Sequence, residues 1–145
     1  MNNRSEFLEF AIYIAKKAGK IQNDFFGKIS DIDTKTTNID LLTIADKLSE
    51  DLIIKEIKKN FPSHSILSEE KGLIDNKSDF MWIIDPLDGT TNFSHNLPIF
   101  AVSIALVRNK KTICGVVYNP AADKCFYAEN NMGAFLNEKI IKPSL

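Results

Sequence analysis

Phe7, Ala11, Ile14, Ala15, Ala18, Ile21 and Phe25 recur at steps of three and four residues, with Lys16, Lys17 and Lys20 mostly off that stripe. This is the pattern of an amphipathic helix with one buried face. It predicts a helix over about residues 5–26, stopped at Gly27. Residues 28–40 are polar and rich in Asp, Thr and Asn, which reads as a loop. Asp40 is then expected to cap a second helix running to about Asn60, with Leu41, Ile44, Ala45, Leu48, Leu52 and Ile57 as its apolar stripe. Pro62 ends it, because the residue before a proline is pushed out of the helical region.

Beyond Pro62 the period changes. Ser65-Ile66-Leu67 reads as a short strand, and the charged stretch Lys71 to Asp79, with Gly72 inside it, as a surface loop. Met81-Trp82-Ile83-Ile84 has the form of a buried strand. Pro98 to Val107 and Thr112 to Tyr118 read as two more, joined by a hairpin turn at Asn109-Lys110-Lys111. Asn119 to Asp123 is a further turn, followed by strands over Cys125 to Ala128 and Gly133 to Leu136. Two helices followed by a meander of strands predict an α+β fold, the helices packed on one face of a largely antiparallel sheet built from about residues 65 to 136.

Composition narrows the function classes. The 145 residues, forming a single α+β domain over 1–145, are enough for a self-sufficient core. The 44% apolar share and the net charge of −1 argue against a disordered chain. Near-neutrality gives no global field for nucleic acid or for an acidic membrane. No apolar run approaches the length of a membrane span, and the opening residues carry Arg4, Glu6 and Glu9 rather than a secretory pattern. Cys114 and Cys125, both in expected strands, read as buried reduced thiols, so the expectation is a cytoplasmic protein. His64 and His95 lack zinc-ligand spacing, and His95 reads as a surface residue. Phe93, Phe100, Phe126 and Phe135 read as core.

The chemistry concentrates in Asp85-Pro86-Leu87-Asp88-Gly89-Thr90-Thr91-Asn92, directly after the apolar run that ends at Ile84. Two carboxylates three residues apart emerge where a strand meets a turn, and Pro86 limits how far they splay. Gly89 permits close backbone approach, and the N–H groups that follow, if they open a helix, suit an oxyanion. Carboxylates for a hard cation beside N–H groups for an anion are what a magnesium-dependent phosphate site requires. A second acidic pair, Glu69-Glu70, follows the strand at Ile66-Leu67. By composition alone the first segment is equally a tight turn, and Glu69-Glu70 a solvated loop.

Order and spacing go further. Trp82-Ile83-Ile84-Asp85-Pro86-Leu87-Asp88-Gly89-Thr90-Thr91-Asn92-Phe93 resembles the signature of the inositol monophosphatase family. Ser68-Glu69-Glu70, preceded by Pro62-Ser63-His64-Ser65, resembles that family's upstream Glu-Glu element, and Thr43-Ile44-Ala45-Asp46 its Thr-x-x-Asp element. Ala101 to Ala105 and Gly115 to Pro120 also resemble the family, so the likeness spans nearly the whole chain.

The resemblance implies the first half of a layered αβαβα sugar-phosphatase fold and Mg2+-dependent hydrolysis of a small polyol or sugar phosphate. It implies metal ligation by the side chains of Glu69, Asp85 and Asp88 and by the Leu87 carbonyl. Thr90, oriented by Asp46, would position and deprotonate the attacking water. Asp85, Leu87, Asp88, Gly89 and Thr90 would face the substrate, the N–H groups of Gly89 and Thr90 cradling its phosphate, with Glu70 one layer behind. Family members are almost twice as long and carry a further metal-binding aspartate in a Trp-Asp-x-Ala-Ala-Gly motif. That motif does not occur here, and Trp82 is the only tryptophan. The expectation is therefore a truncated chain with an incomplete ligand set, weak magnesium binding and little turnover alone. A homodimer or a separately encoded C-terminal half are the partners this leaves open. Related readings are a fructose bisphosphate or nucleoside bisphosphate phosphatase, or a non-catalytic remnant or regulatory, RNA-associated relative.

Overall fold

The computed structural model describes residues 3–28 and 37–144. Most of the expected 28–40 loop lies outside the described residues. The first helix, α1 (Glu6–Phe25), is opened by Ser5, whose hydroxyl accepts from the Leu8 N–H at 3.2 Å. The second, α2 (Asn38–Asn60), starts earlier than expected. Its cap is Thr37, and Asp40 sits three residues in, its carboxylate accepting from the Thr37 N–H at 2.9 Å. This reciprocal pair satisfies two donors that a helix start leaves open. The Asp40 carboxyl is pulled below its ordinary pKa by its bonds to Thr37.

The strands are β1 (Ser65–Ser68), β2 (Gly72–Ile74), β3 (Phe80–Asp88), β4 (Ala101–Arg108), β5 (Lys111–Asn119), β6 (Lys124–Glu129), β7 (Gly133–Leu136) and β8 (Lys139–Ile141). A five-residue helix, α3 (Thr90–Ser94), follows β3. The strands form one eight-stranded sheet in the order β2-β1-β3-β4-β5-β6-β7-β8. All neighbours are antiparallel except β1 and β3. The α+β expectation holds, with two corrections. The presumed surface loop 71–79 contains the edge strand β2, and β8 extends the sheet past residue 136. The turn between β4 and β5 has Asn109 and Lys110 both at positive φ, 49° and 64°, the conformation whose twist matches a two-residue hairpin.

Both long helices cover one sheet face. Leu8, Ile14, Ile53, Ile57, Ile66, Trp82, Ile104 and Leu106 meet there, essentially without solvent contact. The helix lies close to the sheet at Gly19, where a Cβ would stand 2.5 Å from the Tyr118 ring. The expected stripe on α2 is rotated: Ile44 and Leu48 are exposed, while Ala45, Ser49, Glu50, Ile53, Ile54 and Ile57 are buried. On the opposite sheet face Leu67, Ile83, Val117 and Phe126 stand exposed, the last two lining a hollow of about 490 Å³. Phe126 is thus not core, whereas Phe93, Phe100 and Phe135 are. Cys114 and Cys125 are buried thiols, both pushed above the ordinary thiol pKa mainly by burial.

Candidate metal and phosphate site

The parallel pairing of β1 with β3 creates the site. Its register sets Ser68 beside Ile84. Two parallel strands leave the sheet at the same end, so Glu69, one residue past β1, comes level with Asp85. The Glu69 carboxyl acts on that of Asp85 at close range. The ladder between β3 and β4 is irregular from Asp85 to Asp88, which bends this stretch off the sheet. Pro86 and Leu87 are buried there. The Leu87 side chain packs with Ala45, Phe93 and Phe100.

Gly89 follows at φ 85°, ψ 39°, a left-handed residue from which α3 starts. A Cβ at this position would lie 2.8 Å from the Ile99 carbonyl oxygen, so glycine is required by space as well as by φ. Thr90 and Thr91 are exposed at the start of α3. His95, at its other end, directs Nδ1 to the Thr91 carbonyl at 2.8 Å and is a surface residue.

Asp46 enters from α2, whose neighbouring Ala45 is packed with Phe93 of α3. Its Oδ1 is buried with no hydrogen-bond partner, and so is Asp85 Oδ1. The Asp46 carboxyl is pushed up to about 6, first by burial and then by the charges of Glu70, Glu50 and Glu69. Asp85 is raised well above the carboxylate range by burial, by the Glu69 carboxyl and by the charges of Asp88 and Asp46. Carboxyls from three separate segments therefore act on one another, and orphaned buried oxygens remain among them. Such a group is relieved by a hard cation, which takes oxygen ligands.

The residues fit a divalent ion in charge and donor chemistry. Among the described residues no three acidic, histidine or cysteine side chains are grouped closely enough to enclose one ion as they stand. Glu69 and Asp88 both act on Asp85 and raise its carboxyl pKa, but the expected convergence of Glu69, Asp85 and Asp88 on a single cation is not formed among the described residues as they stand. Glu69, Glu70 and Asp88 are exposed. No hydrogen bond joins Thr90 to Asp46 Oδ1.

Two buried polar residues behind the site escape a search for apolar periodicity. Gln22 of α1, fully buried, donates from Nε2 to the Pro86 carbonyl at 2.6 Å and to Ser49 Oγ at 3.2 Å. Glu50 of α2, 3% exposed, accepts from Ser68 Oγ and from the Lys71 N–H. The only sequence signal for either was a polar residue on a helix face turned toward the strands.

No described helix is long and apolar enough to cross a membrane. The family model described as inositol monophosphatase matches residues 3–145. Inositol monophosphatase 3 of Solanum lycopersicum is 45% identical over 143 residues, covering 96% of this chain and 53% of that protein. A fructose-1,6-bisphosphatase/inositol-1-monophosphatase of Thermotoga maritima is 40% identical over 137 residues, covering 94% and 53%. The crystal structure of extragenic suppressor protein suhB from Bartonella henselae superposes with a TM-score of 0.85 at 38% identity, over 97% of this chain and 55% of that one. The chain thus spans about half the length of the relatives it matches. With the match running from residue 3 to residue 145 and the same layer of helices on sheet, the chain belongs to the inositol monophosphatase family.

Proposed function

We propose that this chain carries the cation-binding and phosphate-holding part of a magnesium-dependent phosphomonoesterase acting on a small polyol or sugar phosphate, of the inositol monophosphate kind. The observation that carries the reading is the mutual charge effect among Glu69, Asp85 and Asp46, with orphaned buried oxygens on the two aspartates, beside the Gly89 turn. Glu69, Asp85 and Asp88 would hold Mg2+ by their side chains and Leu87 by its carbonyl. Magnesium, when bound, would neutralise phosphate charge and favour ionisation of the attacking water. Thr90, with Asp46 as its acceptor, would orient that water and take part in moving its proton. The N–H groups of Gly89 and Thr90 would receive the phosphate oxygens. Glu70 would stand behind the ligands.

A further carboxylate would complete the ligand set, supplied by a second copy of the chain or by a separate chain. Turnover by these residues alone is expected to fall far below the ~10 s⁻¹ of a median enzyme. The pairing of two substrate names in the Thermotoga maritima relative supports keeping sugar bisphosphates within the substrate class. The test is binding of inorganic phosphate followed by 31P NMR. Broadening that needs Mg2+ and disappears in Asp88→Asn supports the reading. Phosphate binding indifferent to Mg2+ and to Asp88→Asn would refute it.

A further inference from the structure

We infer that Glu50 is a positioning residue, setting where Glu69 stands relative to Asp85 by clasping the turn that carries it. The inference rests on reading that turn as part of a cation site. Glu50 Oε1 accepts from Ser68 Oγ and from the Lys71 N–H, the latter at 3.0 Å. These donors flank Glu69 and Glu70, so one carboxylate oxygen holds both ends of the four-residue segment.

Packing alone does not account for the residue. A buried carboxylate is costly unless its bonds offset the loss of water. Farther along α2, Ile53, Ile54 and Ile57 make the same helix-to-sheet contact with apolar side chains. The nearby cation does not pair with Glu50 either: the Lys71 ammonium goes to Asp51, on the exposed side. What the carboxylate supplies is a fixed pair of bonds within the turn from β1 to β2, whose ends are paired at Ser68 and Gly72 but whose residues 69–71 lie outside the ladder.

The neighbouring residue ties down the other ligand-bearing segment. Ser49 Oγ receives Gln22 Nε2, which also donates to the Pro86 carbonyl between Asp85 and Leu87. Adjacent residues of one helix turn, Ser49 and Glu50, therefore reference both segments to the same rigid element. Parallel pairing brings Glu69 level with Asp85; the Ser49–Glu50 turn holds them there. Hydrogen-bonded groups behind metal ligands commonly have this role.

The experiment compares the 145-residue chain with Glu50→Ala, Glu50→Gln, Ser68→Ala and Asp88→Asn. Mn2+ affinity is read by electron paramagnetic resonance and exchange of the Lys71 amide by NMR. Glu50→Ala should weaken Mn2+ binding by at least ~10-fold, the usual cost of losing such a partner, and expose the Lys71 amide to exchange. Glu50→Gln keeps an acceptor oxygen, so it should stay within about threefold of the parent, the scale of one modest hydrogen bond, with Lys71 still protected. Ser68→Ala, which leaves the carboxylate and its Lys71 bond in place, should fall between, and decides the matter if Glu50→Ala does not fold. Asp88→Asn should lose Mn2+ while Lys71 stays protected. Unchanged affinity and protection in Glu50→Ala would overturn the inference. So would equal losses in Glu50→Gln and Glu50→Ala, which would assign the role to charge. If Asp88→Asn binds as the parent does, the cation-site reading fails instead. A parent chain that takes up no Mn2+ removes both.

Discussion

The carboxyl of Asp85 stands close enough to that of Glu69 for its pKa to be raised by it, one residue beyond the last pair, Ser68 and Ile84, of the single parallel ladder in the sheet. A cation bound here would relieve the crowding that raises Asp85. Asp85→Asn removes one charge from the group while leaving an acceptor and a donor in place. Without metal, this variant should unfold at a higher temperature than the parent at pH 8, where repulsion is greatest. In Mg2+ at about ten times its dissociation constant, the parent should gain ~1.4 kcal/mol, or about 4–5 °C in Tm, and the variant none. Calorimetry with and without Mg2+ measures both. An equal magnesium gain in the two proteins contradicts the assignment.

Asp46 gives a pH dependence of definite sign. Its folded pKa, pushed to about 6, lies above the ordinary aspartate value of 3.8. The folded state therefore holds the proton more tightly than the unfolded chain, and this favours folding at low pH. That contribution is complete below about pH 3.8 and is lost as pH rises through about 6. Asp46→Asn should stabilise the metal-free chain more at pH 7.5 than at pH 4.5 when the two proteins are compared by urea denaturation. A gain independent of pH would show that the Asp46 carboxyl is not held in a repulsive group.

His64 works in the opposite direction. Its Nδ1 accepts from Trp82 Nε1 at 3.0 Å, which places the ring proton on Nε2. The ring lies against Phe80 with centroids 4.6 Å apart and against Phe61 at 5.0 Å. Burial lowers the His64 pKa below the ordinary 6.5. The stability it contributes is present above that value and lost as pH falls through the lower folded one. His64→Gln can still accept from Trp82 and does not titrate. Between pH 7 and pH 5 the parent should lose more stability than His64→Gln, and parallel losses would count against the buried neutral imidazole.

The uncovered sheet face has its own consequence. Ile83, Val117 and Phe126 are 38–45% exposed on it. Apolar patches of this kind drive association. The chain at micromolar concentration should sediment as a species larger than its 16.3 kDa unit, and Phe126→Lys should shift it toward that mass. Sedimentation of the parent as a monomer at all concentrations would contradict this.

Much of the architecture is legible in the sequence, because the apolar period changes from helix to strand at Pro62 and the sheet order mostly follows the chain. What is not legible has identifiable causes. β2 is three residues long, at an edge, inside a charged stretch, too short for alternation to register. The start of α2 turns on a reciprocal Thr37–Asp40 bond, in which either residue alone looks like the cap. The buried face of α2 is not legible because it carries Ser49 and Glu50, while Ile44 and Leu48 are left outside. Apolar periodicity does not register a helix face buried for polar reasons. At the site, the residues from Asp85 to Thr90 stand out by type and spacing. Gln22 and Glu50 do not, because their partners are 64 and 18 residues away.

The most direct test is a calorimetric titration of the 145-residue chain with Mg2+, beside Asp88→Asn and Glu70→Gln. The account predicts weak binding by the parent, loss of binding in Asp88→Asn, and little change in Glu70→Gln. Binding retained by Asp88→Asn, or lost equally in Glu70→Gln, would contradict the assignment of the cation to the β3 turn.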